Sequence, residues 1–221
     1  IELVLPAGET DAVAYAVSGF SVGLQPTHEL RGDYESFLAG MAKTKRHDLR
    51  RAHEMSAHGE LVLRETTSIE DLLPLLTDTA KLKGFHLSAS ALRRLFPGGD
   101  RELSWGVFVA EERGVALAGT LVLEDRNRAY YLLGGLSRSR RGSRDAAGLL
   151  CLDAMVRRCL DAGKVFDFEG SVLPPVEAFF RLVGGQPAVR LRAQKARSPL
   201  YFLARSLRQY QREAAAPRLV G

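Results

Sequence analysis

The spacing of apolar and polar residues predicts strands in the centre of the chain and helices on both sides of them. Three segments that alternate or run apolar between turn residues predict consecutive strands, at residues 105–110, 115–124 and 128–136. The connection between the first two ends at Gly114, where a hairpin needs a left-handed residue. We therefore expect three antiparallel strands in the middle of the sequence.

The same periodicities predict the remaining elements. Further strands are predicted at residues 2–5, 13–17, 60–65, 166–168 and 189–194. Helices are predicted at residues 33–57, 69–82, 88–96, 145–162, 176–183 and 199–213. Gly19, Gly23 and Pro26 are expected to break up the connection after residue 17, and Gly59 is expected to end the first helix.

Composition limits the class of protein. A chain of 221 residues with 46% hydrophobic content can bury a full core. No run reaches the roughly 18 apolar residues that span a bilayer, and the start at Ile1 lacks a signal-peptide pattern, so we expect a cytoplasmic protein. Cys151 and Cys159 lie too far apart on one predicted helix to form a disulfide, and neither has a His at ligand spacing, so no metal site is expected.

The formal charge of +5 is concentrated in clusters of basic residues. The clusters are Lys43, Lys45, Arg46, Arg50 and Arg51; Arg138, Arg140, Arg141 and Arg144; and Arg190, Arg192, Lys195 and Arg197. They suggest a polyanionic ligand, such as a cofactor's phosphates, a nucleic acid or a lipid-linked pyrophosphate. A solvated helix face is the alternative explanation, above all for the last cluster. Arg46 and Arg50, four residues apart, could clamp one phosphate or carboxylate of a substrate.

The segment Phe166-Asp167-Phe168-Glu169-Gly170-Ser171 is the best indication of chemistry. Two carboxylates, a glycine and a hydroxyl stand at the end of an apolar strand here, and another helix follows. In open α/β folds, ligands collect at such strand ends. Asp167 and Glu169 would leave the same face of the strand. Either could take a proton from a nucleophile, but both could also serve as ordinary caps and turn formers.

The order of elements resembles the GNAT acyltransferase fold. That resemblance implies an α/β (α+β) fold with a central mixed, mostly antiparallel sheet flanked by helices. It also implies that the strands at 128–136 and 166–168 splay apart to form the cleft for the donor, acyl-CoA, with no permanently bound cofactor. The loop and helix start would bind the donor's pyrophosphate through Arg138, Arg140, Arg141, Gly142, Ser143 and Arg144.

Within GNAT, the chain resembles the Fem-type and CelD-like group. Lys43 to Ala52 is similar to that group's basic helix, Phe166 to Ser171 to its F-D-F-x-G-S, and Phe179 to Gly185 to its F-[KR]-x-x-F-G. The group includes peptidoglycan-bridge aminoacyltransferases and proteins of exopolysaccharide gene systems, and aminoacyl-tRNA is a donor that the resemblance makes possible. The loop at Arg140 to Ala146 departs from the usual [QR]-x-x-G-x-[GA], and Fem-type enzymes carry two GNAT units where this chain has room for one.

These observations predict an acyl or aminoacyl transferase acting on an amine or hydroxyl of an envelope-polymer precursor or small molecule. The catalytic candidates are Asp167, Glu169, Arg181 and Tyr131. The substrate-binding candidates are Arg46, Arg50, His86 and Ser171. The alternative is a non-catalytic GNAT-like module that binds a polyanion or a partner protein in a polysaccharide assembly system. We expect N-terminal strands at 1–30, which could be the remnant or edge of a preceding GNAT unit. The GNAT-like domain is expected at 31–196, and a basic helix and tail at 197–221.

Overall fold

The computed structural model describes residues 1–5, 8–84, 86–97, 104–138, 141–170 and 174–195, with backbone alone at 141 and 142. The chain divides into two compact units. One comprises Thr27–Ala188, and the other comprises Ile1–Pro26 together with Val189–Gly221. Two strands, β2 (Ser21–Leu30) and β8 (Gln186–Gln194), have residues in both units.

The sheet of the unit 27–188 is mixed and mostly antiparallel. Its strands are the last four residues of β2 together with β3 (Val62–Thr66), β4 (Ser104–Glu112), β5 (Val115–Glu124), β6 (Arg128–Leu136) and β7 (Val165–Asp167). Their order is β2-β7-β6-β5-β4-β3, and β6 and β7 form the one parallel pair among the registers described. This confirms the predicted fold class.

Helices cover both faces of that sheet. They are α2 (Tyr34–Gly40), α3 (Lys43–Ala57), α4 (Leu73–Lys83), α5 (Ala89–Leu95), α6 (Arg141–Asp161) and α7 (Pro174–Leu182). One buried cluster packs α6, α3 and the rings of Phe166 and Phe168 against one face. A second cluster packs Leu72, Leu75 and Leu76 of the α4 region against Leu121 on the other face. Burial of apolar surface on both faces holds the layers together.

The other unit contains β1 (Glu2–Val4), α1 (Ala12–Val17), the first part of β2 and most of β8. Its strand order is β1-β8-β2, and β1 pairs antiparallel with β8 from Glu2 opposite Gln194 to Val4 opposite Arg192. Lys195 donates from Nζ to the Ser18 carbonyl at 2.7 Å, which ties the end of α1 to the end of β8.

The central elements were predicted correctly, but three features of the N-terminal part were not. Residues 13–17 form helix α1 rather than a strand, and Asp11 caps it by accepting from the Ala14 N–H at 3.1 Å. The expected break around Gly23 and Pro26 is wrong, because both residues lie within β2. The helix predicted at 33–57 is interrupted at Met41, whose ψ of 138° is extended. The helix predicted at 199–213 lies outside the described residues.

Candidate active site

The end of β7 carries the aromatic and acidic residues that the sequence singled out. β7 ends at Asp167, and Phe168, Glu169 and Gly170 follow it. The rings of Phe166 and Phe168 are at most 2% exposed and pack edge to face with centroids 5.1 Å apart. Burial of these two rings in the core fixes the strand, so the acidic residues are held at a defined place beside it.

The Asp167 side chain is fully buried. Its Oδ1 accepts from the Thr27 hydroxyl at 2.8 Å and from the Glu169 backbone N–H at 2.8 Å. Its Oδ2 lies 3.5 Å from Nη1 of Arg128. A carboxylate without exposed surface cannot reach a substrate in this conformation, so its described contacts are structural ones within the fold.

The same guanidinium joins Asp167 to a second buried carboxylate. Arg128 donates from Nη1 to Glu29 Oε1 at 2.7 Å, and the two side chains are 9% and 2% exposed. Glu29 Oε2 accepts from Nε and Nη2 of Arg31 at 3.0 and 2.7 Å. We name Thr27, Glu29, Arg128 and Asp167 the buried polar network. It connects β2, β6 and β7.

Glu169 has an unusual backbone conformation. Its φ is +61°, and that of Gly170 is +64°, so two consecutive residues are left-handed. A left-handed conformation is ordinary for glycine but uncommon for glutamate, and such residues cluster at functional sites. The strand ends before Glu169, so the predicted alternation that placed Asp167 and Glu169 on one face does not extend to it.

A cleft can open between β6 and β7 beyond their paired part. The last pair in their register is Tyr130 with Asp167, whereas β6 continues to Leu136. Opposite β5 the register of β6 shifts, because Leu121 pairs with Leu133 but Val122 pairs with Tyr131. Leu132 is therefore the extra residue of a β-bulge, which bends a strand locally. β7 itself ends at this point, and the predicted splay of the two strands stays a prediction.

Tyr131 lies on the sheet face that α6 covers. Its ring centroid is 6.4 Å from that of Phe168 and 6.4 Å from that of Phe180. Burial raises the pKa of Tyr131 to about 12. The phenol is protonated at neutral pH, as an ordinary tyrosine also is.

The predicted donor loop leads into the first turn of α6. The structure describes Arg138 as exposed, with its backbone N–H 3.4 Å from Asp78 Oδ2. Arg144 is 16% exposed in its side chain and lies 3.2 Å from Asp145 Oδ1 and 3.4 Å from the Ser137 carbonyl. Ser143 is half-buried in that turn. Arg140 and the side chain of Arg141 lie outside the described residues, and Gly142 contributes backbone to α6.

Arg181 lies in the last turn of α7. It is 58% exposed and pairs with Glu177, four residues before it. Glu177 Oε1 is also 3.5 Å from Nε2 of His28, whose ring packs 5.9 Å from that of Phe180. Arg181 therefore belongs to a row of titratable groups that leads from a buried histidine to the surface.

The glycines after α7 permit close backbone packing. A Cβ on Gly185 would lie 2.8 Å from the Phe180 carbonyl and 3.1 Å from the His28 Cβ, and a Cβ on Gly184 would lie 3.2 Å from the Gly40 carbonyl carbon. The Ala42 N–H donates to the Leu182 carbonyl at 2.9 Å. The glycines of the motif thus join the end of α7 to the break between α2 and α3.

The predicted substrate-binding residues are distributed over both faces of the sheet. Arg46 is exposed on α3, with Nη1 3.3 Å from the Leu38 carbonyl at the end of α2, and Arg50 is exposed one turn further. His86 is exposed between α4 and α5, the helices of the other face. Ser171 lies outside the described residues.

The structure brings Asp167, Glu169 and Tyr131 together around Phe168, but it adds residues that sequence reasoning missed. Thr27, Glu29 and Arg128 were not predicted as part of the site. A signal existed, because Arg128 begins a strand and Thr27, His28 and Glu29 form a polar run in an extended segment. Their partners are far away in sequence, so the pattern alone could not pair them.

Two further observations bear on the site's chemistry. In the described part of the chain, no group of three or more His, Cys, Asp or Glu side chains is placed to hold a metal ion. None of the helices described there is long and apolar enough to cross a membrane.

A family model for the acetyltransferase (GNAT) domain matches residues 42–181, which is more than half of the chain. The chain therefore belongs to the GNAT acetyltransferase family, and its class is that of the acyltransferases. The predicted resemblance to GNAT is confirmed. A search of curated proteins gave no match.

Solved structures share the fold at low sequence identity. FemX matches with a TM-score of 0.68 at 14% identity, over 88% of this chain and 70% of FemX. A conserved protein of unknown function from Bacteroides thetaiotaomicron matches at 0.58 and 12% identity, over 87% and 68%. L-PGS from Bacillus licheniformis matches at 0.56 and 13% identity, over 90% and 69%. At these identities the likeness is one of fold, and it is consistent with the Fem-type branch of GNAT.

Proposed function

We propose that this protein transfers an acyl group from acyl-CoA to an amine or hydroxyl of an envelope-polymer precursor or a related small molecule. The observation that carries the proposal is the point where the pairing of β6 with β7 ends, beside the bulge at Leu132 of β6. The two strands stop pairing at Tyr130 and Asp167, and the chain leaves the end of β6 directly into α6, a helix of 21 residues.

The start of α6 suits the donor's pyrophosphate. The first N–H groups of a helix have no intrahelical partner, and the helix dipole favours an anion there. Arg144 stands in the first turn with most of its side chain buried, and Arg138 is exposed just before it. Both cations add charge-assisted contacts to phosphate oxygens.

The acidic strand end suits the acceptor's chemistry. When the acceptor's nitrogen or oxygen attacks the thioester carbonyl, its proton must be taken up and the leaving thiolate must gain one. Glu169 is the better candidate for the base, because it is partly exposed whereas Asp167 is fully buried. Tyr131 keeps its proton at neutral pH and is the candidate donor to the thiolate. Arg181, exposed beside Glu177, can stabilise the oxyanion or hold a phosphate.

Binding of the donor is tested by calorimetric titration with acetyl-CoA and with a long-chain acyl-CoA. We expect micromolar binding that weakens about tenfold in Arg144→Gln, which loses one charge-assisted phosphate contact. Arg126→Gln, an exposed arginine in the turn between β5 and β6, is the matched control and should bind as the wild type does. Glu169→Gln should also retain binding. No binding of either ester to the wild type would refute the CoA-dependent proposal.

A second candidate donor, aminoacyl-tRNA, is favoured by the outer face of α3. Lys43, Arg46, Arg50 and Arg51 are exposed there, and no acidic residue stands in the first turn of α3. Binding of tRNA that weakens steeply between 50 and 200 mM salt, as expected for roughly four or more phosphate contacts, would support this donor. Retention of a phosphorylated glycan without any donor binding would instead support a non-catalytic module. The cytoplasmic location stays a prediction.

A further inference from the structure

We propose that Thr27, Arg128 and Glu29 are positioning residues that hold Glu169 in its active orientation through Asp167. The proposal rests on the proposed acyl transfer with Glu169 as the base. It assigns a catalytic purpose to residues from two other strands, one of which, β2, lies outside the segment matched by the family model.

The first step of the argument is the geometry of Asp167. Its Oδ1 bonds the Thr27 hydroxyl and the Glu169 N–H, each at 2.8 Å, so one oxygen joins β2 to the turn after β7. Its Oδ2 faces Arg128 Nη1 at 3.5 Å. The carboxylate is thereby held on both sides, and its rotation would break the bond to the Glu169 backbone.

The second step concerns charge. Asp167 and Glu29 share one buried guanidinium, and Arg31, which is 62% exposed, supplies the second positive charge at the rim. The desolvation of two carboxylates and a guanidinium costs about as much free energy as their mutual attraction provides. Buried ion pairs are therefore weak stabilisers of a fold. A network of this kind is better explained by the orientation it imposes than by stability.

The third step concerns Glu169 itself. A glutamate with φ of +61° is strained, and such a conformation persists where its surroundings over-determine it. One contact that holds it there is the hydrogen bond from its own N–H to Asp167. If Asp167 were free to turn, the backbone of Glu169 could relax to an ordinary conformation, and this would redirect its carboxylate.

The test uses Thr27→Val, which removes the hydroxyl at nearly constant volume, with Thr27→Ser as the conservative rescue. Thr77→Val is the matched control, since the Thr77 hydroxyl bonds the Leu73 carbonyl within α4. Turnover is followed as thiol release from acetyl-CoA with a panel of primary amines that includes glucosamine. Protection of the Glu169 N–H against hydrogen exchange is measured by NMR in the same variants.

We expect Thr27→Val to lower kcat roughly 10- to 100-fold with the KM for acetyl-CoA unchanged, because the base is displaced but the donor site is not. Thr27→Ser should recover most of the loss, and Thr77→Val should show none. In a Glu169→Gln background, Thr27→Val should have little further effect on kcat. Loss of protection at the Glu169 N–H should accompany the loss of kcat.

Two results would overturn the proposal. One is unchanged protection and unchanged kcat in Thr27→Val. The other is an equal loss of kcat from Thr27→Val in the wild-type and in the Glu169→Gln background, which would show that the buried polar network affects kcat through a residue other than Glu169. If the wild type itself neither binds nor turns over acetyl-CoA, the proposed function fails. In that case, hydrogen exchange of the Glu169 N–H in Thr27→Val alone decides whether the buried polar network holds the turn after β7.

Discussion

At the scale of one residue, the Tyr131 ring occupies space that Gly134 leaves open, and burial of its phenol raises its pKa. A Cβ added to Gly134 would lie 2.0 Å from the Tyr131 hydroxyl, so any larger residue at position 134 would displace the Tyr131 ring. Thr120 and Cys151 are the polar neighbours that influence the Tyr131 pKa, but desolvation dominates and raises that pKa to about 12.

This raised pKa makes stability depend on pH in the alkaline range. The ordinary tyrosine pKa is about 10, so the stabilising contribution of Tyr131 is fully present below pH 10 and is lost as the pH rises towards 12. We expect the free energy of unfolding of Tyr131→Phe, measured by urea titration at several pH values, to fall less steeply over that interval. Equal slopes for the two proteins would contradict the burial of the phenol.

Asp153 provides a second test at a single residue. It is buried, accepts from the Tyr34 hydroxyl at 2.5 Å and lies 3.0 Å from Nε2 of His53, so it joins α2, α3 and α6. Arg157 stacks over the Tyr34 ring at 3.8 Å. We expect Tyr34→Phe to cost about 1–3 kcal/mol of stability, because the buried Asp153 loses a donor. Thermal unfolding measures this, and Tyr15→Phe in α1 is the control that should change little.

At the scale of elements, the packing of α4 on the sheet depends on two glycines with different surroundings. A Cβ on Gly135 would lie 2.7 Å from the Leu75 carbonyl carbon and 2.8 Å from the Leu76 nitrogen, which are helix backbone. A Cβ on Gly119 would meet the methyl ends of Leu72 and Leu75 at 2.8 and 2.9 Å. Side-chain ends can move, whereas a helix backbone cannot move alone.

We therefore expect Gly135→Ala to destabilise the protein more than Gly119→Ala. Overpacking typically costs about 1–3 kcal/mol, and Gly135→Ala should lie at or beyond the upper end of that range. Chemical denaturation of the two variants beside Gly23→Ala, whose Cβ would meet nothing within 4 Å, measures the difference. A smaller loss in Gly135→Ala than in Gly119→Ala would show that α4 can shift.

The elements that sequence predicted well are those whose signals are local. The β4–β5 hairpin follows from its alternation and from Gly114, whose φ is +74°. The break at Met41 does not, because it coincides with a bond from Ala42 to Leu182, far along the chain. The strand β2 was missed since Gly23 and Pro26 disfavour strands locally, and pairing with β8, which lies far along the chain, outweighs that preference.

The same limit applies to the site. The strand end at Phe166 to Gly170 could be found from its own residues, but the bonds from Thr27 and Glu29 span more than ninety positions. Burial decides between the two candidate carboxylates, and an alternating pattern treats Asp167 and Glu169 alike. The left-handed φ of Glu169 is a second difference, and the residue types alone do not predict it.

At the scale of the whole molecule, the two cysteines report on global unfolding. Cys151 and Cys159 are at most 1% exposed on α6, and burial raises the pKa of each thiol to about 12. We expect both thiols to resist a disulfide reagent in the native protein at pH 8 and to react on addition of urea, since α6 lies at the centre of the core. Rapid reaction of either thiol without denaturant would show that α6 opens independently.

The pairing of β2 with β7 also limits how far the chain can be truncated without loss of the fold. The segment 42–181 that the family model matches leaves out β2, so β7 would keep β6 but lose its other neighbour, and Arg128 would keep Asp167 but lose Glu29. A strand edge that has lost its partner is a template for intermolecular pairing, and removing one carboxylate from a buried ion-pair network is destabilising.

We expect the segment 42–181 to aggregate when expressed alone, and the segment 27–188 to be more soluble, as judged by size-exclusion chromatography. The smallest part of the chain that folds on its own is accordingly expected to be longer than the matched segment 42–181. A gene fusion or deletion that retains only residues 42–181 is then expected to yield an insoluble product.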